Sequence, residues 1–114
     1  IRSATIQKTL MTLQEAISQA HVQVAVHNAR FLIALVRPDM EEEDIPIINQ
    51  YEELLTKQLE KFIQPNIPGL DGEISMDIKL AKVEMERAKV AIQIFDTVNR
   101  ITEYLIKNCR GVMA

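Results

Sequence analysis

ISMDIKLAKVEMERAKVAIQIFDTVNRITEYLIKNCRGVM, residues 74–113, is the stretch whose reading decides the fold. Within it Ile74, Ile78, Ala81, Met85, Ala88, Ile92, Phe95, Asn99, Thr102, Ile106, Cys109 and Met113 follow one another at alternating steps of four and three. That spacing is the heptad-like seam of one long helix packed lengthwise against others. A second stripe, Val83, Val90, Ile94, Val98, Ile101 and Leu105, makes the same segment apolar on two faces. Asp71, Glu73 and Asp77 crowd its positive end, Lys107 and Arg110 its negative end, and Gly111 suits a left-handed C-cap. The pattern predicts a helix over about 74–110.

Upstream, Pro65, Pro68, Gly69 and Gly72 deny residues 64–73 any regular structure. A second helix is predicted over about 40–63, its buried stripe formed by Ile48, Tyr51, Leu55, Leu59 and Phe62, joined by Leu54. Asp39 and Glu42 have capping-box-like spacing for a start near Met40. A start at Asp44 serves equally, because Pro46 lacks an amide hydrogen and belongs in a first turn. The first helix is predicted over about 3–36, with Ser3 as N-cap and Arg37-Pro38 as the stop. Its main seam is Ile6, Leu10, Leu13, Ile17, Ala20, Val24, His27, Phe31 and Ala34. Val22, Val26, Ala29, Ile33 and Val36 add a second stripe in its C-terminal half.

A chain of 114 residues with 47% apolar side chains is long enough for one domain with a real core. Aromatic residues are only 4%, and three glycines and four prolines are too few for the turns of an all-β fold. The reading is therefore all-α: one domain over 1–114, a three-helix bundle with two long helices and one shorter. At about 1.5 Å per residue the outer helices would reach roughly 50 Å and the middle one roughly 35 Å. A short middle helix leaves apolar surface on its longer partners uncovered. A second copy of the chain, or a helix from another protein, is expected to complete the bundle. The stripe Val22, Val26, Ala29, Ile33 and Val36 is the expected interface.

Charge is unevenly spread. Residues 38–77 carry eleven acidic and two basic side chains, whereas both flanking segments are net basic. A net charge of −3 and the lack of a basic stripe argue against nucleic acid as a partner. The apolar run Phe31–Val36 is far too short for a membrane span. One cysteine, Cys109, excludes an internal disulfide and favours a reducing, cytoplasmic setting. No signal peptide is evident after Arg2, and a start at Ile1 points to an excised or processed segment.

Catalytic and metal constellations are missing from the pattern. His21 and His27 stand six apart, where two ligands on one helix need three or four, and no Glu-x-x-His occurs. There is no Gly-rich phosphate loop, nucleophile elbow or paired-Cys motif. Cys109 has Lys107 and Arg110 nearby but no base in its sequence neighbourhood. The run Glu41–Asp44 lacks the spacing and glycine of a calcium loop, and reads as helix-start charge or a docking face for a basic partner. His27, on a seam between Val24 and Phe31, is expected to be buried. Asn99 and Thr102 interrupt the long seam, where a polar pair fixes register or, with His27, lines a ligand cavity. The sequence thus points to a non-enzymatic interaction or scaffold module without a cofactor. A sensory or small-ligand-binding bundle is the alternative.

Overall fold

The computed structural model describes residues 2–109 and residue 112. Among these the regular elements are all helical: α1 (Arg2–Ser18), α2 (Val22–Val36), α3 (Ile45–Ile63) and α4 (Met76–Asn108). Short 3-10 turns, Arg37–Asp39 and Leu70–Gly72, lie in the connections. Four helices thus stand where three were expected.

The difference lies at Ala20. The expected single helix over 3–36 is two, because Ala20 adopts the left-handed conformation at φ 59°. The amide of Ala20 donates to the Ile17 carbonyl (3.0 Å) and that of His21 to the Ala16 carbonyl (2.8 Å). This is the paired bonding of a Schellman helix end, with alanine where glycine is usual. The reversal lets α2 fold back along α1. The Arg2 guanidinium closes the open end of this hairpin on the Leu35 carbonyl and the Asp39 carboxylate. Ser3 lies inside the first turn of α1 and is not its cap.

α3 takes the later of the two expected starts. Asp44 precedes it, and Pro46 sits in its first turn, where a missing amide hydrogen costs nothing. α4 begins two residues later than expected, with the Ser75 hydroxyl accepting the Ile78 amide (3.4 Å). The expected cap at Gly111, with Arg110 and Met113, lies outside the described residues.

Consecutive helices run antiparallel. α1 packs on α2, α2 on α4, and α4 on α3, giving a slab of 56 × 27 × 17 Å. Arg87 bonds the last carbonyls of α3, at Phe62 (3.2 Å) and Ile63 (3.4 Å), and so complements the negative end of that helix. About three turns of α4, Met76–Glu86, therefore stand beyond the end of α3.

The core joins Ile6, Leu10, Leu13 and Ala16 of α1 to Val22, Ala25, Val26, Ala29, Leu32, Ile33 and Val36 of α2. Ile48 and Leu55 come from α3, and Val90, Ile94, Val98, Ile101 and Leu105 from α4. On α4 it is thus the second stripe that is buried. The main seam faces away: Met85 is 65% exposed and Ile92 70%. Periodicity finds both stripes but is blind to which has a neighbour. Inside the core, the Thr97 hydroxyl reaches Gln58 Oε1 (2.7 Å) and the Gln93 carbonyl (3.0 Å), which satisfies a buried polar atom.

Candidate functional site

The expected interface stripe is the protein's own core. Val22 is 7% exposed, and Val26, Ala29, Ile33 and Val36 are 1% or less. The hairpin and α4 cover these side chains, so they need no second chain. The correction follows from Ala20: a continuous helix would have left one of its two stripes bare, and the reversal buries this one between α1 and α4.

His27 is exposed, not buried. It borders a shallow cleft between α1 and α2 with Thr5, Lys8, Thr9, Thr12, Asn28 and Phe31. The seam that placed it inside ends at the reversal, and beyond Ile17 its members Ala20, Val24, Phe31 and Ala34 are exposed as well. Asn99 lines a different groove, with Tyr51, Asp96, Arg100, Glu103 and Tyr104. Thr102 returns its hydroxyl to the Val98 carbonyl (2.9 Å). The three polar residues expected to share a cavity are not brought together.

Asp44 and Tyr104 form a contact that sequence reasoning missed. Asp44 occupies the N-cap of α3 but makes no side-chain capping bond. Its buried carboxylate instead accepts the Tyr104 hydroxyl at 2.5 Å, sixty residues away. That bond, then burial and the Asp44 charge, push the Tyr104 hydroxyl up to about 12. The Tyr51 ring lies beside it, centroids 6.2 Å apart and tilted 56°. Cys109 is buried near the same end, and burial followed by the Asp44 charge pushes its thiol up. A phenol and a thiol both held protonated are poor nucleophiles and poor bases. The group is a latch between the start of α3 and the end of α4. The neighbouring Glu41, Glu42 and Glu43 are exposed. Among the described residues no cluster of three or more His, Cys, Asp or Glu side chains is arranged to hold a metal ion.

The most extensive unpartnered feature is the outer face of α4. Ile78, Ala81, Met85, Ala88 and Ile92 are exposed in succession, Phe95 is half-buried, and Asn99 is exposed again. Beyond it the seam is covered only in part, with Thr102 half-buried, Ile106 exposed and Cys109 buried. Exposed charges border the strip in order, Asp77 and Glu84 on one edge and Lys82 and Lys89 on the other. Lys82 also reaches Glu73 of the preceding loop (3.5 Å). In the overhanging turns Met76 and Leu80 are bare too, because α2 and α3 have ended. No helix among the described residues is long and apolar enough to cross a membrane. Comparison with protein-family models, curated proteins and solved structures finds no match to this chain.

Proposed function

We propose that the chain is a non-enzymatic interaction module whose working surface is the outer face of α4. One observation carries this reading: a straight apolar strip, Ile78 to Ile92, lies in water between two ordered rows of charge. Contiguous exposed apolar surface of this kind is unfavourable unless something covers it, and scattered single residues would need no such explanation. A helix carrying apolar positions at steps of three and four fits another helix. That geometry supports a scaffold or adaptor role, and a reducing, cytoplasmic setting suits a lone buried thiol. The ligand-binding alternative has lost its premise with the separation of His27 from Asn99 and Thr102.

A photo-crosslinking residue at Met85, introduced in cells that make the protein, tests the reading. The strip should capture a protein partner well above the level from Gln14, an exposed position on α1. Equal capture from both positions would refute the assignment.

A further inference from the structure

We infer that the occupant of the α4 face is a second copy of this chain, paired in parallel and in register. This rests on the reading of α4 as the interaction surface. Assigning heptad positions along the exposed seam puts Ile78, Met85, Ile92 and Asn99 at a, and Ala81, Ala88 and Phe95 at d. Asp77 and Glu84 then fall at g, and Lys82 and Lys89 at e.

Parallel pairing sets each g residue against the e residue five places on in the other helix. Asp77 meets the partner's Lys82, and Glu84 meets the partner's Lys89. The two-fold axis repeats both contacts, because the same patch is used on each copy. No like charges oppose one another on this strip. Asn99 meets its own counterpart at an a position, where a buried amide pair rejects shifted registers. Ile78, Met85 and Ile92 form the apolar layers above it, all on the part of α4 that the rest of the chain leaves bare.

Antiparallel pairings fare worse. Centring the pair near Val90 brings Lys89 against the partner's Lys89 and keeps only the two attractions of Lys82 with the partner's Asp96, against the four of the parallel form. Centring it near Arg87 brings Lys82 against the partner's Lys89. A third arrangement, centred near Gln93, pairs Lys82 with the partner's Glu103 and Lys89 with the partner's Asp96. It would also seat Ile78 against the partner's Cys109, which is already buried. Charge and exposure together select the parallel form.

Sedimentation equilibrium of the whole chain at micromolar concentration should give twice the monomer mass. Ile92→Glu should reduce it to the monomer with helicity unchanged, since this side chain lies outside the core. Glu84→Lys should weaken the dimer about tenfold by exchanging two attractive contacts for two repulsive ones. Adding Lys89→Glu should restore it, whereas in the third antiparallel arrangement the new carboxylate at 89 would face the partner's Asp96. A dimer indifferent to Ile92→Glu, or one not restored by the charge exchange, overturns the proposed pairing. A monomer at every concentration overturns self-association. In that case capture of a different protein from Met85 leaves the interaction reading standing, and equal capture from Met85 and Gln14 removes both.

Discussion

Asp44 shows how one residue can serve two elements. Its position before Ile45-Pro46 is that of a helix cap, yet its carboxylate is spent on Tyr104. The bond has a pH signature. The folded chain holds the Tyr104 proton more tightly than the unfolded one, about 12 against 10.0. This contribution to stability is complete below pH 10 and is lost as pH rises from 10 toward 12. Thermal melts of the wild type should fall more steeply across that interval than those of Tyr104→Phe, which should already melt a few degrees lower at neutral pH. Parallel curves would show that the contact is not made in solution. Neither residue was legible as a pair, because sixty intervening positions carry no local signal linking them. His27 fails for a related reason: its burial was inferred by extending a seam through a residue that turns the chain.

At the scale of the element, that residue is Ala20. Alanine is the strongest helix former, and no glycine or proline marks positions 19–21, so nothing local warns of a stop. The left-handed conformation costs a side-chain-bearing residue about 1–2 kcal/mol, outweighed here by packing α2 back on α1. Ala20→Gly should therefore stabilise the protein by about 0.5–1 kcal/mol in urea denaturation, after the extra entropy of glycine is counted. A loss of about 1 kcal/mol, the usual cost of glycine within a helix, would mean that α1 and α2 are continuous. Other elements were readable because their signals are local. Pro46 offers α3 its start, Pro65 lies beyond its end, and the steps of three and four run unbroken through α4. Which stripe of α4 is buried was not readable. Val90, Ile94, Val98, Ile101 and Leu105 resemble Ile78, Met85 and Ile92 in composition, and only the placement of α2 and α3 separates them.

On the scale of the molecule, stability should be uneven along its 56 Å. The Met76–Glu86 turns have lost α3 as a neighbour, whereas residues 90–105 lie against both α2 and α3. In the Ile92→Glu chain, amides of the overhang should exchange with solvent at opening free energies near zero, and those of 90–105 near the global value. Uniform protection along α4 would mean that the overhang is covered from within the same chain.

The order of packing also bears on how the molecule forms. α1 against α2 and α3 against α4 are both unions of neighbours in sequence, the first across three residues and the second across twelve. Bringing such segments together closes small loops and costs little chain entropy. The chain is thus laid out as two helical hairpins, α1–α2 and α3–α4, joined chiefly where α2 meets α4. Refolding kinetics should accordingly fall in the microsecond-to-millisecond range of proteins built from near-neighbour contacts, with changes at Val26 or Val98 affecting the docking of hairpins more than the formation of either one.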